Sequence, residues 1–86
     1  MTDLQNNTSI MADPEAWVAQ VVNRFGPLIG GSDLRQLLGF RTASAMQRAM
    51  RKGLLSAPVF TLEGRKGVFA ITAEIATWIV KQRHQG

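Results

Sequence analysis

The chain has 86 residues, no cysteine and one histidine, and its formal net charge is +4 at pH 7. This length fits one small domain, and the lack of cysteine excludes a disulfide framework and a thiolate metal site. With His84 as the only histidine, the sequence offers neither a histidine cluster for zinc nor a histidine-based catalytic dyad. The N-terminus does not have the basic start and apolar centre of a signal peptide, and no run of about 18 apolar residues predicts a membrane span. A cytoplasmic location is therefore expected.

The positive charge is concentrated in the middle of the chain. Seven of the ten cationic side chains lie between residues 35 and 66, where Glu63 is the one acid, whereas residues 1–34 are net acidic. A basic segment with acidic or neutral flanks is typical of a protein that binds a polyanion. A solvated lysine and arginine surface has the same composition, so charge alone does not choose between the two interpretations.

Residues 1–12 are polar and aperiodic and are predicted to be a disordered tail, before a single domain at residues 13–86. Helix signals begin with Asp13 as an N-cap and Pro14 in the first turn, and they end at Gly26. Between them runs an apolar stripe at helical spacing: Trp17, Val18, Val21, Val22 and Phe25. The stripe predicts a helix that covers the core of its own domain or, as the less favoured alternative, pairs with a second copy.

Two further helices are predicted close together in the sequence. The first follows a Gly–Gly break, with Ser32 as its N-cap and Gly39 at its end. The second begins at Arg41 or Thr42 and closes at Gly53. Leucines form the apolar face of the first of these helices: Leu34, Leu37 and Leu38. The short link between the two helices predicts a helix-turn-helix.

A β-hairpin and a last helix are predicted in the C-terminal third. In "PVFTLEGRKGVFAI", two β-prone runs flank a glycine-containing turn, which places Arg65 and Lys66 at the tip of a hairpin. Thr72 is predicted to cap the last helix, and Trp78 is expected in the core beneath the hairpin. The predicted fold is therefore mainly α with a small β-hairpin.

The helix after Gly39 carries the residues most suited to a function. On a helical wheel, Met46 and Met50 lie on the side expected to pack on the leucines. The opposite side collects four polar residues: Ser44, Gln47, Arg48 and Arg51. Arginine pairs with guanine and glutamine with adenine in the major groove, so this face is predicted to read DNA bases. Contacts to the DNA backbone are predicted for six residues: Arg35, Arg41, Thr42, Lys52, Arg65 and Lys66.

The order of short motifs resembles a known family. "LRQLLGF", a basic helix ending in "RKG", "PVF", "EGRKGVFA" and "EIATWI" follow one another as in the AlpA and excisionase-like winged-helix proteins, which are related to the DNA-binding head of MerR-type regulators. Within that group the chain is most similar to pyocin-activator-type regulators and to small recombination directionality factors. The resemblance spans about residues 28–80.

The resemblance implies a winged helix-turn-helix with an extra N-terminal helix. It places a recognition helix at about residues 42–52 in the major groove and a wing at residues 62–68 on the DNA backbone or in the minor groove. It implies a sequence-selective double-stranded DNA-binding protein of a mobile element, acting at the bacterial nucleoid as a transcription regulator or an excisionase (a recombination directionality factor). A dimer or a side-by-side array on DNA is the expected route to affinity.

Other functions remain open at this point. The main alternative is a protein-interaction module that docks on an integrase or a regulator through its basic face. RNA binding is less favoured because the sequence shows no exposed aromatic platform. An enzyme is least favoured, since no pair of nucleophile and base can be proposed, and neither a cofactor nor a metal is expected.

Overall fold

The computed structural model describes residues 13–85, and the predicted tail at residues 1–12 lies outside that range. The described chain forms four helices and a two-stranded antiparallel sheet. In chain order the elements are α1 Pro14–Phe25, β1 Leu28–Gly30, α2 Gly31–Leu37, α3 Ala43–Arg51, β2 Phe69–Ile71 and α4 Thr72–Gln85. The prediction of a mainly helical fold is confirmed, and the β structure is a two-stranded antiparallel sheet. None of these helices is long and apolar enough to cross a membrane.

Helix α1 begins and ends where the sequence predicts. The Asp13 side chain accepts a hydrogen bond from the Ala16 backbone N–H at 3.1 Å, and Pro14 occupies the first turn. Gly26 ends the helix with a φ of 81°, which only glycine adopts without strain. The helix packs against α4, and Val21 of its apolar stripe is buried. The stripe therefore covers the core of its own domain, which was the favoured alternative.

The sheet differs from the predicted hairpin. The first β-prone run contributes a single bridge, Phe60 to Phe69, and β2 takes its strand partner from β1 instead. The register of that antiparallel pair is Leu28↔Ile71, Ile29↔Ala70 and Gly30↔Phe69. The sequence does not predict β1, because three residues are too few to show an alternating pattern. The prediction of a hairpin with two full strands is therefore wrong, although the turn between the two runs is present.

The core lies between the inner face of the sheet and the helices. Ile29 and Ala70 form a cross-strand pair that is 2% and 0% exposed, and they share a cluster with Leu34 and Ile75, both 0% exposed. Met46 of α3 belongs to the same cluster. Half-buried side chains surround it, among them Leu37, Leu38, Met50 and Trp78. Each fully buried leucine or isoleucine stabilises the fold by about 1.5–3 kcal/mol relative to an exposed one, so these contacts hold both helices of the predicted helix-turn-helix.

Two predicted helix caps are wrong. Helix α2 begins at Gly31 with Gly30 in the cap position, so Ser32 lies inside the first turn. Thr72 is the first residue of α4 instead of its cap, and its side chain is completely buried. The Thr72 N–H donates to the Pro27 carbonyl oxygen at 3.0 Å, continuing the β1–β2 pairing up to the start of the helix. Within residues 13–85 the Thr72 hydroxyl has no hydrogen-bond partner.

Replacing Thr72 by valine is expected to stabilise the fold by about 1 kcal/mol. Valine keeps the branched shape and removes a hydroxyl that is buried without a partner, and burying such a group costs about 1–3 kcal/mol. Urea denaturation followed by circular dichroism measures the change. Thr77→Val, at an exposed position of the same helix, is the control and should alter stability by less than about 0.5 kcal/mol. A less stable T72V protein would contradict the unpaired state of the hydroxyl.

Candidate nucleic-acid interface

Helix α3 divides its side chains between core and solvent as the helical wheel predicts. Thr42 is its N-cap, and the threonine Oγ1 accepts a hydrogen bond from the Ala45 N–H at 3.0 Å. Met46 is 6% exposed and Met50 is half-buried against the core. The four predicted base-reading residues are all exposed: Ser44, Gln47, Arg48 and Arg51. The core contacts on one side thus hold a polar face, which contains no acidic residue, towards solvent.

The turn between α2 and α3 is closed by a side chain as well as by the backbone. Gly39 has a φ of 86°, and the Phe40 N–H donates to the Arg35 carbonyl oxygen at 3.1 Å. The Arg35 Nη1 donates to the carbonyl oxygens of Phe40 at 2.9 Å and of Arg41 at 2.7 Å. Hydrogen bonds from a guanidinium are stronger than those between neutral groups. Arg35 therefore clamps the turn that joins the two helices.

The clamp gives Arg35 a role that the sequence did not predict. Arg35 is half-buried, and its Nη1 is engaged within the protein. Arg35 lies in the last turn of α2, and a cation near the C-terminal end of a helix often donates to free carbonyl groups. This position is the feature of the sequence from which the clamp could have been predicted. The other predicted backbone-contacting residues near α3 are all exposed: Arg41, Thr42 and Lys52. Thr42 is the N-cap of the helix, and Lys52 occupies its C-cap position.

Residues 60–69 form a closed loop, called here the 60–69 loop, that ends at the sheet. Phe60 and Phe69 exchange both backbone hydrogen bonds, at 2.8 and 2.7 Å. Gly64 and Gly67 have φ values of 76° and 88°, which allow the chain to reverse between them. The two cations lie at the tip and are exposed: Arg65 and Lys66. The bridge therefore anchors a short loop whose far end is positively charged, as the sequence predicts.

Arg65 has an intramolecular contact that Lys66 lacks within the described residues. The Arg65 Cζ lies 5.0 Å from the centroid of the Phe69 ring, a cation–π distance. The same ring lies against Gly30, where a Cβ would come within 2.7 Å of the ring carbon Cε1. Gly30, Phe69 and Arg65 thus form one contact group, called here the Gly30–Phe69–Arg65 cluster, and no sequence motif points to it.

Two adjoining clefts lie beside the 60–69 loop, and the first of them also borders α3. One, of about 250 Å³, is bordered by Gln47 of the polar face, by Gly31 at the start of α2 and by Gly67 in the loop. The other is bordered by Arg65 and Lys66, and it shares Gly31 with the first. Gln47 and the cations of the loop tip therefore lie on one connected surface. The remaining predicted contact residues around α3 border neither cleft: Arg41, Thr42, Ser44, Arg48, Arg51 and Lys52.

Arg35→Gln is expected to lower the free energy of unfolding by about 1–2 kcal/mol. Glutamine keeps the helix propensity but cannot supply a charged donor to the turn; such hydrogen bonds contribute about 1.5–3 kcal/mol, less where they are partly exposed. Urea denaturation followed by tryptophan fluorescence measures the loss. Arg51→Gln is the matched control, because Arg51 is exposed in the last turn of α3 and should change stability little. Equal stabilities of the two variants would contradict the clamp.

Comparisons with known proteins leave the chain without an assigned family. No family model matches it, and neither a curated protein nor a solved structure is significantly similar to it. The resemblance of its motifs to the AlpA and excisionase-like proteins therefore stays a prediction.

Proposed function

We propose that the protein binds double-stranded DNA with sequence selectivity, as a winged helix-turn-helix without catalytic activity. The observation that carries the proposal is the exposed polar face of α3. Met46 holds the opposite side of the helix in the core, so Gln47, Arg48 and Arg51 are exposed together on a helix that contains no acidic residue. Arginine and glutamine are the residues that pair bidentately with guanine and adenine in the major groove.

The chain order supports the winged type of helix-turn-helix. Helices α2 and α3 are joined by residues 38–42, and the Arg35 clamp holds that link in one geometry. Strand β1, the Phe60 bridge and strand β2 form a small sheet from which the 60–69 loop projects as the wing. Helix α1 is an addition that packs on α4. In this arrangement α3 is the recognition helix.

Phosphate contacts come from the cations around that helix and on the wing. Arg41 and Lys52 flank α3, and Arg65 and Lys66 extend from the wing towards the backbone or a minor groove. The Thr42 hydroxyl accepts a hydrogen bond within the cap, which leaves its hydrogen available for a phosphate oxygen. Arg35 holds the turn through Nη1, so its contribution to phosphate binding is limited to the other guanidinium nitrogens.

The biological setting rests on the motif resemblance. A regulator of transcription or an excisionase of a mobile element fits a small basic protein of this kind. A monomer of 86 residues covers few base pairs, so a dimer or side-by-side binding to repeated sites is the expected source of affinity.

A second candidate function is a protein-interaction module, and a different surface favours it. Leu28 and Ile71 pair across the sheet and are 39% and 41% exposed, and Phe60 at the far edge is 36% exposed. Leu54, just after α3, is 75% exposed. Leu28 and Ile71 are cross-strand neighbours, and exposed apolar neighbours are typical of surfaces that contact another protein, such as an integrase or a regulator. DNA binding does not require them.

Arg48→Ala and Arg51→Ala are each expected to cost about 1–3 kcal/mol on the specific site and much less on random DNA, because each removes a bidentate base contact. A site is first selected from a pool of randomised duplexes, and affinities for the selected and a scrambled duplex are then measured by fluorescence anisotropy. Arg83→Ala, an exposed arginine on α4, is the control for lost charge. Equal losses on both duplexes would contradict base reading by α3.

Arg65→Ala is expected to weaken binding to every duplex alike and to reduce the salt slope by about 1, since it removes a phosphate contact and the counterion release that goes with it. A titration series from low to moderate salt on both duplexes measures the slope. A loss confined to the selected site would make Arg65 a base-reading residue. A wild-type protein that binds no duplex even at low salt would overturn the proposed function and favour the interaction module.

A further inference from the structure

We propose that Gly30 and Phe69 form a positioning platform for the Arg65 guanidinium, so that a glycine on β1 determines how the wing presents its cation to DNA. The inference rests on the proposed function for its anionic partner. Its structural part concerns contacts within the protein and can be tested without DNA. Gly30 is not among the residues predicted to bind, and it lies outside the wing in sequence.

Phe69 is buried on the side of the sheet where its neighbours are exposed. Along β2 the side chains alternate, so Ala70 enters the core with 0% exposure while Phe69 and Ile71 share the outer face. Ile71 is 41% exposed on that face, but Phe69 is only 7% exposed. Other side chains must therefore cover the ring, and the Arg65 guanidinium at 5.0 Å is one of them.

Glycine is required at position 30 because a larger side chain would collide with the Phe69 ring, and not because of its backbone conformation. Its φ of −159° and ψ of −176° are extended values that any residue adopts. A Cβ at this position would overlap Cδ1 of Phe69 and lie 2.7 Å from Cε1, closer than such atoms approach one another. Alanine would therefore displace the ring without straining the backbone, and the ring would carry Arg65 with it.

Stacking on the ring restricts a long, flexible side chain before it meets a partner. A guanidinium held over Phe69 has already lost part of the freedom that binding would otherwise remove. Lys66, its neighbour on the tip, has no cation–π contact within the described residues and serves as the internal comparison. The two cations therefore differ: Arg65 stacks on the ring of Phe69, whereas Lys66 is exposed without such a contact in the described part of the chain.

The test is a double-mutant cycle on duplex binding. Gly30→Ala removes no charge, yet it is expected to lower affinity about two- to fivefold, the equivalent of about 0.5–1 kcal/mol for an exposed cation–π contact. In the Arg65→Ala background the same change should have no further effect. In the Lys66→Ala background it should keep its full effect, because Lys66 does not depend on the platform.

Nuclear magnetic resonance of the free protein tests the contact directly. The side-chain protons of Arg65 should show upfield ring-current shifts in the wild type, and Gly30→Ala and Phe69→Leu should each remove them. Urea denaturation of every variant separates loss of stability from loss of positioning. The combination Gly30→Ala with Phe69→Leu gives the added methyl group room, so stability should recover in part while affinity stays low.

Each outcome is decisive. Ring-current shifts together with a Gly30→Ala effect that vanishes in the Arg65→Ala background would establish the platform. The absence of ring-current shifts would overturn the platform. A Gly30→Ala effect on affinity that is the same in the wild type and in the Arg65→Ala background would also overturn it. A wild type with the shifts but without any binding to duplex DNA would overturn the proposed function, and it would reduce the cluster to a structural support of the wing.

Discussion

The pairing of β1 with β2 is the constraint on which the other parts of the structure depend. It joins two three-residue segments that lie about forty positions apart in the sequence, and its register sends Ile29 and Ala70 into the core together. A slip of one residue would turn Gly30 and Phe69 inward and expose the core pair, because side chains alternate along a strand. The backbone hydrogen bond from Thr72 to Pro27 then extends the same pairing to the first residue of α4.

Because of this register, the two faces of the small sheet have different roles. The inner face supplies the core against which Leu34 and Met46 pack, and those contacts hold the helix pair. The outer face carries the Gly30–Phe69–Arg65 cluster, which we propose orients the Arg65 guanidinium of the 60–69 loop. The helix and the loop proposed to contact DNA are therefore positioned by opposite sides of the same few residues.

A domain of this size buries only a small hydrophobic core, so local hydrogen bonds add to the stability that burial provides. Arg35 closes the turn between α2 and α3 with a charged donor, and the Asp13 and Thr42 side chains satisfy N–H groups at the starts of α1 and α3. The completely buried hydroxyl of Thr72, which has no partner among the described residues, acts in the opposite direction. Its burial lowers the stability of the fold where β2 meets α4.

Short-range patterns in the sequence were sufficient for α1 and α3. Asp13, Pro14 and Gly26 bound α1 as predicted, and the spacing of Met46 from Gln47 and Arg48 correctly divided α3 between core and solvent. Caps and helical periodicity are properties of neighbouring residues, so they can be recognised without knowledge of the fold. The exposure of every predicted base-reading residue follows from the same periodicity.

Only the tertiary structure decided the features that depend on distant partners. Strand β1 exists because residues 69–71 lie beside it, and its formation moved the starts of α2 and α4 away from the predicted caps at Ser32 and Thr72. The two roles of Gly30 and Arg35 became visible only when Phe69 and the turn carbonyls were placed next to them. The sequence by itself determined which residues face solvent on α3. Strand pairing determined how the other residues of the candidate interface are positioned. The energy of that pairing comes from contacts between distant residues, which local sequence patterns do not contain.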